Sequence, residues 1–162
     1  MFKFLNNNLI IIFFSFSILV LLSAYFIEYV LGYEACNLCL IGRISYFFVI
    51  IFSLLFFFFK KLKKILLILI FVSFIFGILI AFYHFGVEQG FFDESLICKI
   101  KGLGQNMSAS ELLQELEDKK LKSCKNVNFK IFGLSLATIN LLVSLVLSII
   151  TLNNILKNEK NK

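Results

Sequence analysis

The stretch CNLCLIGR at 36–43 sets two thiols three residues apart, with a guanidinium one helical turn further on. A pair at this spacing can staple the chain, ligate a metal or cycle between dithiol and disulfide. A bridge this short encloses almost nothing and so constrains the unfolded chain very little, which argues against a staple. Structural zinc sites usually join two short cysteine clusters. Here the other two cysteines, Cys98 and Cys124, are separated by twenty-five residues, and no histidine is near in sequence. No metal is expected, and redox chemistry is the reading that fits. If a helix already runs through 36–43, the 100° turn per residue puts Cys36, Cys39 and Arg43 within an arc of roughly 60°, with Tyr46 on the same stripe. A thiol at a helix N-terminus beside a cation has a lowered pKa, and the thiolate is the nucleophile of disulfide exchange. Arg43 either serves this chemistry or snorkels to lipid headgroups.

Those thiols need a scaffold, and the composition says which solvent it sits in. Of the 162 residues, 60% are hydrophobic and only 16% charged, and the mean hydropathy is +0.94. Soluble domains run at roughly 45–50% apolar and about 25% charged. The chain therefore reads as an all-α membrane protein. A bilayer core takes about 20 apolar residues as helix. Four uncharged runs supply them, at Phe4–Ile27, Ile44–Phe59, Ile65–Tyr83 and Ile131–Leu152. The expectation is one domain over 1–162, a four-helix bundle with helices at about 4–30, 36–59, 65–87 and 131–153 and an outer loop at 88–130. The first run is longer than the apolar core of a signal peptide and lacks a small-residue cleavage site, so it is read as a retained helix.

Lysine sets the orientation. KKLKK at 60–64 fills a very short connection, and Lys3, Lys157, Lys160 and Lys162 flank the termini. The connection near 28–35 has Glu28 and Glu34 and no base. Both termini and KKLKK then face the cytoplasm, which leaves the net charge of +6 as a matter of topology, with no nucleic acid implied. The loop 88–130 runs against this with seven lysines, beside seven acids, although long loops translocate largely regardless of charge. Within it, SASELLQELEDKKLKSC has a capping box at Ser108 and Glu111 and a partial leucine stripe. It predicts a short helix, either solvated or lying on the membrane surface. All four cysteines fall on the outer side, where disulfides persist. Four cysteines allow three pairings. The simplest is Cys36–Cys39 with Cys98–Cys124, and the latter would close a loop worth roughly 3.5 kcal/mol.

CNLCLIGR at 36–43, AFYHFGVEQG at 81–90 and FGLSLATINLL at 132–142 together resemble the disulfide bond formation protein B (DsbB) family of bacterial membrane proteins. The likeness covers nearly the whole chain, in the family's order: Cys-x-x-Cys first, a separated pair in the second outer loop after. The resemblance implies a quinone-dependent thiol oxidase of the inner membrane. Such a protein reoxidises a soluble periplasmic DsbA-like oxidase of thioredoxin fold and passes the electrons to ubiquinone or menaquinone. By position, Cys98 would form the mixed disulfide with that partner and Cys124 would be its mate. Cys36 and Cys39 would be the pair beside the quinone, with Cys39 engaging the ring, and Arg43 would be the quinone-site arginine. His84, the sole histidine, either helps handle quinone protons or is an interfacial polar group. Gly42 stands where many members carry glutamine, and no proline precedes Cys98. A partner near −120 mV needs a stronger oxidant behind it, which a quinone can be.

Two other readings compete. Vitamin K epoxide reductase relatives also pair cysteines on a four-helix bundle, but their Cys-x-x-Cys follows the loop pair. A non-catalytic membrane protein stapled by Cys98–Cys124 is the second.

Overall fold

The computed structural model describes residues 2–33, 35–93, 130–131 and 133–160. Four long helices carry it: α1 (Phe2–Tyr29), α2 (Asn37–Phe58), α3 (Lys63–Glu88) and α4 (Leu136–Lys160). Each is long and apolar enough to cross a membrane. In lipid the backbone must bond internally, so helix is the only form open to such isolated runs. The bounds follow the expected ones within a few residues, except at α4.

There the apolar run from Ile131 begins as a two-stranded hairpin. Strands β1 (Lys130–Ile131) and β2 (Leu134–Ser135) pair antiparallel, and the turn between them includes Gly133 at φ +82°. A left-handed residue cannot sit inside an α-helix, so α4 starts five residues later than expected. Ser135 then caps it, its Oγ accepting the Thr138 N–H at 3.2 Å.

The α2–α3 connection is a single 3-10 turn, Lys60–Leu62, so the KKLKK lysines are shared between that turn and the first residues of α3. So short a link forces α2 and α3 to run antiparallel as neighbours, and α3 lies between α2 and α4 while α1 packs on α2. Near the lysine turn the helices meet through an apolar core of Ile10, Phe13, Val49, Phe56, Leu66, Leu67, Ile70, Phe74 and Leu147. Phe13 and Phe74 meet edge to face at 5.5 Å between centroids. The exterior is studded with exposed Leu, Ile and Phe, as a lipid-facing surface is. At the opposite end α3 stops after Glu88. The Gly86 carbonyl accepts the N–H groups of Phe91 and Phe92, and the Phe92 ring lies where any side chain at position 86 would have to go.

The expected surface helix at 108–121 and the pairing of Cys98 with Cys124 lie outside the described residues. The side of the membrane on which the termini sit is not defined by the fold.

Candidate functional site

Cys36 does not start α2 from within. It is the residue before it, extended at φ −73° and ψ 163°, and its sulfur caps the helix by accepting the Cys39 N–H at 3.2 Å. The spacing of three follows from this, since an N-cap side chain reaches the N–H groups two or three residues on. The two sulfurs, both free and partly buried, lie 2.8 Å apart.

The antiparallel α2–α3 pair brings the start of one helix level with the end of the other, and His84 arrives beside the sulfurs. Its Nε2 is 3.6 Å from Cys36 Sγ and its Nδ1 is 4.0 Å from Cys39 Sγ. The residue is 6% exposed, so its ring is enclosed by the bundle beside the two sulfurs. Val87 on the same helix and Leu38 on α2 close over this end, packed against Cys36 and Tyr83. The Cys36 thiol is lowered to about 4, first by the Cys39 thiol hydrogen bond and then, against the cost of burial, by His84. A shift in this direction favours the thiolate.

The absence of a nearby histidine, argued from the sequence, is also corrected. Cys36, Cys39 and His84 bring three donor atoms within 4.8 Å of one another. The sulfurs, 2.8 Å apart, would have to spread to the roughly 3.8 Å that two 2.3 Å bonds to one tetrahedral zinc would set. The arrangement is that of a dithiol with an imidazole at its side.

Arg43 departs from the expected shared face. Its Nη1 donates to Glu28 Oε2 on α1 at 2.5 Å, and its guanidinium lies over the Tyr25 ring at 5.0 Å. It does not snorkel. It is a paired, partly buried cation one turn in from the sulfurs. Tyr46 turns a third way, donating its hydroxyl to Asn140 Oδ1 on α4 at 2.5 Å. The stripe of 36, 39, 43 and 46 thus splits among α3, α1 and α4. Gly42 looks towards Asn140 too, whose Nδ2 would lie 3.6 Å from a β-carbon there.

Two acids join the site. Glu28 lies in the last turn of α1, within the expected first helix of about 4–30. Glu88, expected as the first residue of the outer loop, is the last residue of α3, one turn beyond His84. Its Oε1 is 3.4 Å from His84 Nε2, and its Oε2 accepts the Ser135 hydroxyl at 2.5 Å. The i, i+4 spacing of His84 and Glu88 was the available signal.

With this geometry, the likeness to known proteins can be placed. The family described as disulfide bond formation protein DsbB matches residues 6–153. An uncharacterized protein of Rickettsia prowazekii (strain Madrid E), RP370, is 32% identical over 143 residues, covering 88% of this chain and 82% of its own. No solved structure matches the chain.

Proposed function

Because the chain belongs to the DsbB family of disulfide bond formation proteins, we propose that this multi-pass membrane protein is a quinone-dependent thiol oxidase. It reoxidises a soluble periplasmic dithiol oxidase of thioredoxin fold and sits in the bacterial inner membrane with its cysteines outward. The observation that carries the reading is the free Cys36–Cys39 pair, capped onto the N-terminal end of α2 and flanked by the buried His84.

The residues present fit a quinone. A dithiol, an imidazole and a paired cation gather at one end of helices whose outer faces are apolar, where a lipid-borne acceptor travels. When bound, the quinone supplies a sink for two electrons and two protons, matching one dithiol. Arg43, fixed by Glu28 and Tyr25, holds positive charge without needing to reorganise, the kind of preset electrostatics that stabilises developing negative charge. His84 touches both sulfurs and can take the proton that a thiol gives up. Cys36, as a low-pKa sulfur, leaves readily in exchange. Cys98 and Cys124 form the pair that meets the soluble partner, Cys98 through the mixed disulfide. Cys39 would be the sulfur that engages the acceptor.

The test uses the full chain in detergent with a short-chain ubiquinone or menaquinone and a reduced thioredoxin-fold partner. Partner oxidation should proceed with loss of quinone absorbance, and Cys98→Ser should stop it. Undiminished turnover by that variant refutes the assigned route. If both cysteine pairs stay oxidised when reduced partner is added, the protein is not an oxidase of this kind. A Cys124→Ser variant should accumulate the partner on Cys98.

A further inference from the structure

The buried acid at the end of α3 has no part in the route just given, yet it is built in on two sides. Glu88 is held by the Ser135 hydroxyl at 2.5 Å, and its side chain is only 6% exposed. Ser135 is itself anchored to α4 through Thr138, by the backbone N–H at 3.2 Å and the hydroxyl at 2.9 Å. Burying a carboxylate is costly unless it is paired, and the group it faces is the ring of His84, a cation when protonated. One nitrogen, Nε2, lies 3.6 Å from Cys36 Sγ and 3.4 Å from Glu88 Oε1. A proton on that nitrogen therefore faces a sulfur on one side and a carboxylate on the other.

We infer that Glu88 is a positioning residue for the dithiol, pinned by Ser135 so that it holds His84 against Cys36 and supplies the counter-charge when the ring takes the thiol proton. The step involved is a proton transfer alone. The S–H bond of Cys36 breaks, an N–H bond forms on His84, and no electrons leave the pair. The inference rests on the reading of Cys36 and Cys39 as a cycling dithiol. It adds a line of contacts from α2 through α3 to α4, Cys36–His84–Glu88–Ser135, that joins the sulfur to the capping serine of the last helix. Other ionisable groups at this end, among the described residues, are Cys39, Arg43 and Tyr46 on α2, Tyr83 on α3, Glu28 and Tyr25 on α1, and Asp93 past α3, whose backbone carbonyl accepts the Tyr83 hydroxyl. Arg43 is already paired with Glu28, and Glu88 is the carboxylate in contact with the imidazole.

The test is the pH profile of Cys36 alkylation in the reduced full-length protein, read by peptide mass spectrometry with iodoacetamide, without quinone or partner. Glu88→Gln should move the half-point upwards by at least one pH unit, a roughly tenfold loss of reactivity below it. Ser135→Ala should move it the same way by less, and Glu88→Asp should restore part of the shift. Circular dichroism should show the helix content of the wild type in all three. An unmoved half-point in both Glu88→Gln and Ser135→Ala overturns the inference. A folded Ser135→Ala protein keeps the test open if Glu88→Gln does not fold. Because no quinone is present, an unmoved profile with normal turnover sinks this inference alone, whereas a shifted profile with no turnover sinks the oxidase reading.

Discussion

The two ends of the bundle are held by different forces. Near the lysine turn, Phe13, Phe56 and Phe74 are almost wholly buried against one another and against aliphatic neighbours. At the cysteine end the same helices meet through charge and hydrogen bonds: Arg43 with Glu28, His84 with Glu88, Glu88 with Ser135, Tyr46 with Asn140. In a bilayer, helices gain little from hiding apolar surface, because lipid is as oily as leucine, and they associate through close packing and polar contacts. The first end therefore fixes the helices in place through shape. The second spends its polar groups on holding two sulfurs, an imidazole and a guanidinium in register. Stability and chemistry should separate along the bundle axis.

The largest effect is expected where chemistry sits. Cys36→Ser should reduce quinone-dependent turnover to background while leaving the unfolding free energy within about 1 kcal/mol of wild type, since such a change creates no large cavity. Steric trapping or detergent unfolding beside a turnover assay checks both halves, and a strongly destabilised Cys36→Ser protein would erase the distinction. The converse substitution is Phe74→Ala. It should cost about 3 kcal/mol or more through the cavity left behind, yet leave the pH profile of Cys36 alkylation where it was.

A third expectation is a pH slope confined to one end and one redox state. Cys36 is lowered to about 4 in the folded dithiol, against an unfolded thiol near 8.5. Between those values the unfolded state binds the extra proton, so stability rises with pH across that window. That contribution is complete above the unfolded value and lost as pH falls through about 4. Reduced protein should therefore be more stable at pH 8 than at pH 5 by a margin that disappears in Cys36→Ser and on oxidation. A slope that persists in both would belong to other groups.

The smallest effect is also the sharpest test of the apolar end. Ser17 and Ser53 are fully buried there, and their hydroxyls have no hydrogen-bond partner among the described residues. Removing an unsatisfied hydroxyl should stabilise by about 1 kcal/mol, so Ser17→Ala should unfold at slightly higher denaturant than wild type. A loss of stability instead would mean that the hydroxyl is satisfied in the folded protein.

The four spans and the short turn between the second and third were legible in the sequence because charge is so costly in hydrocarbon that its absence over twenty residues is a strong signal. The first cysteine pair was legible because its spacing is itself a local geometry. What escaped depended on contacts between distant segments. Nothing local shows that Glu28 meets Arg43 across two helices, or that His84 returns to the sulfurs forty-eight residues after Cys36. The late start of α4 escaped for another reason. Hydropathy registers Ile131–Leu152 as continuous, while the left-handed glycine at 133 breaks it. Direction along a stripe was also over-read. Cys39, Arg43 and Tyr46 share one side of α2, but long side chains fan out to three different neighbours.

The tight turn at Lys60–Leu62 has one more consequence. It works like the hinge of a pair of callipers, with arms that must be of equal reach. From Cys36 to Phe58 and from Lys63 to His84 the two helices climb about 33 Å and about 32 Å at 1.5 Å per residue. One residue inserted in either arm would lift one jaw by about 1.5 Å and swing it by about 100°, parting ring from sulfur. One inserted in each would restore the height but not the facing. Evolution can thus vary the lipid-facing side chains along these arms with little constraint, but it can change the arms' length only in steps that bring both jaws round together.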